Sequence, residues 1–202
     1  GEYIAIGTES DVGSIICLFN KDSNTPLWTY SSDDWIRGVS ISADGEYIAA
    51  VSRDDKVYLF DKDSSTPLWS YTAGDWLRGV DISADGEYIV AGSGGTDDKV
   101  YLFDKDSSTP LWSYNLGDTA YNVKISADGE YIVVGSDDDK AYLFENSNSS
   151  PFWSYTSDDW IRSVDISADG DFIILGSMDN TAYFSPVEIP KIDKIVSQVE
   201  LN

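Results

Sequence analysis

The chain has 202 residues, with 36 acidic against 13 basic side chains, a formal net charge of −23 and a pI near 4.1. Such a surface repels nucleic acid and anionic lipid, so neither is expected as a partner. Hydrophobic residues make up 42% and aromatic residues 13%, enough for a sizeable core, while no apolar run is long enough to cross a membrane.

From residue 1 onward a unit of roughly forty residues recurs. Starting each copy at Gly-Glu-Tyr-Ile or its equivalent gives 1–44, 45–85, 86–128, 129–169 and a divergent 170–202. A period in this range marks a supersecondary unit that must stack on its neighbours to bury its apolar faces. Within one copy, strand-length runs rich in Val, Ile, Tyr, Phe and Trp cover residues 47–52, 56–61, 68–71 and 77–83. Between them stand an Asp-rich turn, the segment Asp-Lys-Asp-Ser-Ser-Thr-Pro and, after the last, Ser-Ala-Asp-Gly. Asp-Gly is a strong hairpin signal. The Asp-rich turn is longer in the first and third copies, at 8–14 and 94–97. No stretch carries a sustained 3.6-residue apolar period with caps, so helices are expected to be nearly absent. The shared VYLFDKDSSTPLWSY at 57–71 and 100–114 fits duplication and says nothing about a ligand.

Four short antiparallel strands per repeat predict an all-β chain folded as one β-propeller domain over residues 1–202. Residue 1 falls at the start of a second strand, so the first copy lacks its innermost strand. The tail DKIVSQVELN, from Asp193, aligns with DWIRSVDIS, from Asp159, with one extra residue. The expectation is therefore five blades of four antiparallel strands, closed by the C-terminal strand completing the first blade, with residues 187–191 as a degenerate outer strand. Closure would remove exposed strand edges. An open arc that completes its ring with a second copy, or with residues outside this sequence, is the competing arrangement.

The order of a Ser-Ala-Asp-Gly turn, a Gly-Ser-Asp-Asp-Asp turn and Lys-Ala-Tyr-Leu-Phe resembles the WD-repeat family. Val-Tyr-Leu-Phe-Asp-Lys-Asp followed by Leu-Trp-Ser-Tyr is similar to the tryptophan-docking repeat of propellers related to pyrroloquinoline-quinone enzymes. The resemblance covers essentially the whole chain as an architecture and implies a fold more than a function. Two departures matter. The chain has no histidine and no Trp-Asp dipeptide, so the His-centred network of WD repeats cannot form, and it has fewer copies than the rings of about eight blades of the quinone-enzyme type.

Without histidine there is no Ser-His-Asp triad, Cys-His pair or His-based metal site. Asp44, Asp85, Asp128 and Asp169 repeat with the fold, which assigns them to turn formation rather than to a catalytic pair. Asp54-Asp55 and Asp137-Asp138-Asp139 offer oxygen ligands for calcium, but each turn is too short to supply a full shell and is followed by Lys56 or Lys140, so no cofactor is expected. Cys17, the single cysteine, stands where Tyr58, Tyr101 and Tyr142 stand in other copies and is read as a buried apolar replacement. Trp28, Trp69, Trp112 and Trp153 share one position and are assigned to packing between repeats. Asn148-Ser149-Ser150 is a glycosylation sequon, weakened by Pro151.

The candidate site is the segment entering each innermost strand, written DWIRGV, DWLRGV, DTAYNV and DWIRSV. It repeats Trp35, Trp76 and Trp160 together with Arg37, Arg78 and Arg162, three of only four arginines, and replaces the arginine by Tyr121 in one copy. Arginine offers a planar fork to carboxylate or phosphate, and indole a stacking face. At a channel mouth these side chains predict binding of a small anion, a sugar or an acidic peptide. The competing assignment pairs each arginine with the aspartate three residues before it, Asp34, Asp75 or Asp159, or with an acid of a neighbouring blade.

The expected function is a noncatalytic binding module, monomeric, presenting a rigid disc to a protein or carbohydrate. The charge is compatible with a surface or extracellular setting and equally with a cytosol of high salt. Two alternatives stay open: an enzyme, either a carboxylate-based hydrolase or a cofactor-dependent oxidoreductase, with its site at the channel mouth, and a purely structural repeat scaffold.

Overall fold

A computed structural model describes residues 1–11, 13–187 and, as backbone, 197–200. Among the described residues every regular element is a β-strand. The first sheet comprises β1 (Tyr3–Gly7), β2 (Ser14–Asn20) and β3 (Trp28–Ser32). The second comprises β4 (Ile36–Ile41), β5 (Tyr47–Ser52), β6 (Lys56–Asp61) and β7 (Trp69–Thr72). The third holds β8 (Leu77–Ile82), β9 (Tyr88–Ser93), β10 (Lys99–Asp104) and β11 (Trp112–Asn115). The fourth holds β12 (Ala120–Ile125), β13 (Tyr131–Ser136), β14 (Lys140–Glu145) and β15 (Trp153–Thr156). The fifth holds β16 (Ile161–Ile166), β17 (Phe172–Ser177), β18 (Thr181–Pro186) and β19 (Ser197–Glu200). All pairings are antiparallel between neighbours in the order given.

Both faces of a middle sheet are apolar, because each packs on a neighbour. In β5 and β6, Ile48, Ala50, Tyr58 and Phe60 face Ile16 and Leu18 of the first sheet. Ala49, Val51, Val57 and Leu59 face Leu77, Ile89, Tyr101 and Phe103 of the third. The first strands β4, β8, β12 and β16 lie against one another along the inner side of the array. At the outer side a tryptophan ties each of the first three sheets to the next: Trp28 donates its indole N–H to the carbonyl of Lys62 at 2.8 Å, Trp69 to Lys105 at 2.7 Å and Trp112 to Asn146 at 2.7 Å. The same three indoles lie on Phe60, Phe103 and Phe144 with ring centroids 5.3 to 5.4 Å apart. In the fifth sheet Ser185 replaces that phenylalanine, and Trp153 stacks on Tyr155 instead.

The Ser-Ala-Asp-Gly turns connect sheets as well as strands. Asp85 accepts from the Ser83 hydroxyl at 2.6 Å and from the Glu87 amide at 3.0 Å, while the Ala84 amide donates to Ala127 of the next turn at 3.0 Å. Gly86 sits at φ +76°, and a Cβ there would meet the Tyr47 ring at 2.5 Å, so the turn requires glycine for backbone and for space. The Tyr of each Gly-Glu-Tyr-Ile is thus the cover over the following turn.

The C-terminal strand departs from the sequence expectation: it does not complete the first blade. β19 runs along β18, with Thr181 opposite Glu200 and Phe184 opposite Ser197, and fills the outer place of the fifth sheet. Among the described residues the first sheet is three-stranded, β1-β2-β3, with no strand on the inner side of β1. The last copy has no Leu-Trp-Ser-Tyr segment, so the outer edge of β18 needs a partner, and the tail meets that edge next to it in the chain rather than at the far end of the array. Residues 188–191 of the expected degenerate strand lie outside the described residues. Among the described residues the end faces are uncovered, with Ile4 50% and Ile6 43% exposed on the first sheet and Phe172 45% and Ile174 49% on the fifth.

Phe103 is fully buried where Trp69, Tyr71 and Tyr101 converge. Phe103→Ala is expected to lower unfolding stability by about 3–5 kcal/mol in urea titration. A loss under 1 kcal/mol would show that the third sheet does not depend on that cluster.

Candidate functional site

The start of every inner strand carries a β-bulge, and the bulged residue is the candidate one. Pairing of β4 with β5 passes from Ile36 to Gly38 and skips Arg37. The equivalent steps skip Arg78, Tyr121 and Arg162. A bulge leaves one residue out of the ladder and re-aims its side chain. Its signal in the sequence is an apolar spacing of three where a flat strand gives two: Ile36 and Val39, Leu77 and Val80, Ala120 and Val123, Ile161 and Val164.

These four positions meet along one rim with the turns between second and third strands. Arg162 makes a two-point contact with Asp137 of the preceding sheet's turn, Nε to Oδ1 at 3.0 Å and Nη2 to Oδ2 at 3.2 Å. Arg37 donates Nη1 to Glu9 of the preceding turn at 2.9 Å. Arg78 has no carboxylate partner among the described residues; its guanidinium lies 3.7 Å from the Tyr121 ring centroid and donates Nη2 to the Tyr121 hydroxyl. Arg162 approaches the same ring at 4.6 Å and Trp160 at 4.2 Å. Tyr121 is therefore held by arginines from the strands on both sides of its own.

Trp35 lies under Arg37 and also under Arg53, at 4.9 and 5.3 Å, and donates Nε1 to Asp11 at 3.1 Å. Trp76 is placed elsewhere: its ring packs over Gly94 beside Thr119, where a Cβ would come within 2.5 Å of it. Trp160 is 42% exposed. The predicted side chains thus fall into two contact groups, Trp35 with Arg37, and Arg78, Tyr121 and Trp160 with Arg162, while Trp76 closes the third sheet's turn instead.

The aspartates three residues before the arginines do not pair with them. Asp34, Asp75, Asp118 and Asp159 each accept from the backbone N–H of the following residue, at 2.7, 2.9, 2.7 and 2.8 Å. The Trp76 amide, with Thr96, holds Asp75 below the usual carboxylate range. The inter-sheet acids Glu9 and Asp137 take the arginines instead. The second-turn acids have structural partners too. Tyr58 donates to Asp54, Tyr142 to Asp138 and Tyr183 to Asp179 at 2.5, 2.6 and 2.5 Å, and Tyr101 does the same to Asp97. Burial raises those tyrosines, and the acceptor carboxylates add to the shift. Burial alone would raise Asp97, but Lys99, Tyr101 and Ser93 outweigh it and keep it low. Cys17 is buried in the first sheet, where this pair is consequently missing.

Asp98 differs. Burial, then the charges of Asp118 and Asp97, raise its pKa, its Oδ1 is buried without a partner, and its backbone is left-handed at φ +46°. The fifth sheet places Asn180 at the equivalent position with φ +66°.

Repeated four-stranded sheets stacked through tryptophan contacts, with an aromatic and arginine rim, define a β-propeller repeat protein. A family model described as Outer membrane protein assembly factor BamB matches residues 12–123, more than half of the chain, and the chain belongs to that family. A second model, WD domain, G-beta repeat, matches residues 149–184. A search of curated proteins returns no match.

Two outcomes follow from the charges. An acid raised on folding contributes stability only while protonated and loses it as pH rises through its folded pKa. Asp98→Asn should therefore raise the melting temperature at pH 7, with the gain vanishing below about pH 4; an equal gain at both pH values would remove charge as the cause. Arg162→Ala should cost about 1 kcal/mol, since it breaks a two-point pair. Arg78→Ala, which breaks no ion pair, should cost less in the same urea titration.

Proposed function

We infer that the chain is a noncatalytic interaction module, one propeller domain of five blades, whose rim of bulged inner-strand residues contacts a protein or carbohydrate partner. The observation that carries this reading is Tyr121. It replaces an arginine in an otherwise regular position and carries Arg78 and Arg162 on its ring, so an aromatic side chain and one guanidinium without a carboxylate partner among the described residues, that of Arg78, meet beside the Arg162–Asp137 pair. Such a spot suits a ligand that stacks and accepts hydrogen bonds together. Two further facts support binding over turnover. Apart from Asp98, the rim carboxylates described above are engaged with backbone amides, arginines or tyrosines, and WD-type and quinone-type repeats commonly serve contact between macromolecules. The family description, an assembly factor, agrees with a partner that is a protein. A surface or extracellular setting fits the strong negative charge, and the binding unit is read as a monomer.

The test is a thermal-shift panel of glycans and short peptides on the wild type, Tyr121→Ala and Tyr121→Phe. A binding member raises the wild-type melting temperature, since a ligand of the native state stabilises it. That rise should vanish in Tyr121→Ala and persist in part in Tyr121→Phe, which keeps the ring. A ligand that protects Tyr121→Ala as well as the wild type overturns the rim as the binding face. Product released from a panel member in the same samples would favour the enzymatic reading.

A further inference from the structure

At successive junctions, a residue in the turn of one sheet faces the bulged residue of the next sheet. Between the fourth and fifth sheets this pair is Asp137 and Arg162, in direct two-point contact. Between the first and second it is Glu9 and Arg37. Between the second and third sheets the turn residue is Arg53 and the bulged residue is Arg78. The equivalence is structural as well as sequential: the Arg53 amide donates to the carbonyl of Trp35 at 2.8 Å, as the Asp137 amide donates to Thr119 at 3.0 Å, and Arg53 and Arg78 are separated in the chain as Asp137 and Arg162 are.

This junction therefore sets two arginines where its sisters set an acid against an arginine. In a protein of net charge −23, Arg53 and Arg78 are the two arginines without a carboxylate partner among the described residues. Each is stacked on a ring, Arg53 on Trp35 and Arg78 on Tyr121. Stacking fixes a guanidinium plane and leaves its edge donors open. The guanidinium of Arg53 makes no hydrogen bond within the described residues, and Arg78 uses one, to the Tyr121 hydroxyl. Among the described residues no contact joins the two guanidinium groups, Arg53 lying on Trp35 of the second sheet and Arg78 on Tyr121 of the fourth; what the junction lacks is the acid that the equivalent position supplies elsewhere, and like charges at paired positions are relieved by an anion between them.

We propose that Arg53 and Arg78 form a carboxylate seat, filled by an acidic side chain of a protein partner where the sister junctions use the chain's own Glu9 and Asp137. The two filled junctions supply the template: the group set against the bulged arginine is a carboxylate in both. The proposal rests on the rim reading above and names the chemistry it selects. An extended polyanion is disfavoured by the surrounding negative field, whereas a short acidic segment meets the fork within a Debye length of about 8 Å at physiological salt.

The probe is an N-acetylated diglutamate amide, titrated at physiological salt while the arginine Nε–H resonances are followed by NMR, with the diglutamine amide and inorganic phosphate as comparisons. The resonances of Arg53 and Arg78 should move together with diglutamate and stay still with diglutamine. Arg53→Asp rebuilds the internal pair of the sister junctions, so it should raise the melting temperature and weaken diglutamate binding at least tenfold. Lys21→Glu makes the same change in net charge at a turn beside the outer strand β3 and should leave binding within twofold of wild type. The proposal is overturned if Arg53→Asp binds diglutamate as wild type does, if Lys21→Glu loses as much, or if phosphate moves the same two resonances at equal or lower concentration. A failed seat with the Tyr121 dependence intact leaves the rim reading standing; loss of the Tyr121 dependence alone leaves the seat standing.

Discussion

Each sheet is held by what its neighbour supplies, and the indole contact shows this most directly. Trp69 stacks on Phe103 and donates to the Lys105 carbonyl, so one side chain covers the next sheet's apolar face and satisfies a backbone acceptor at its outer edge. A polar group buried without a partner is costly, and the indole N–H avoids that cost while its ring fills the junction. The Tyr47 ring over Gly86 does the corresponding work at the first turn, and the Tyr–Asp pairs at the second. With tryptophan outside, tyrosines at the turns and aliphatic side chains between, no histidine network is required.

This reciprocity explains why so much of the architecture was legible. Strands at 47–52 and 56–61 were read to the residue, because alternation and Asp-rich turns agree there. Asp44, Asp85, Asp128 and Asp169 were read as turn formers and each accepts a hydroxyl and an amide in its own turn. The tail was misread because its residues match an inner strand weakly and nothing local reports which edge lacks a partner. That edge was opened by the loss of Leu-Trp-Ser-Tyr after β18, a fact about the fifth sheet rather than about the tail.

The rim was legible as a position and not as a set of contacts. Recurrence of Arg37, Arg78 and Arg162 marked the place, whereas the bulge, whose signal is a three-residue step between apolar side chains such as Ile36 and Val39, is recognised only in the strand pairing. The partners were not visible, since they lie in the turn of the sheet before and not in the segment itself. Arg53 was overlooked for the same reason: it stands outside the repeated motif, in a place held by Gly94, Asp137 and Met178 in later copies. Regular repetition thus supplies a frame, and the three junctions that fill one slot differently give each junction its own chemistry.

The faces of the first and fifth sheets that are uncovered among the described residues have a colloidal consequence. Ile4 and Ile6 lie on the kind of face that elsewhere receives a preceding sheet, and Phe172 and Ile174 on the opposite end of the array. Surfaces of two kinds at two ends of one array would meet between copies head to tail, a contact that builds a ring if its rotation closes and a filament if it does not. The 23 excess negative charges oppose such growth, and their reach shortens as ionic strength rises. The acidity of the surface thereby opposes contact between two copies of this chain, and opposes it less as salt screens it.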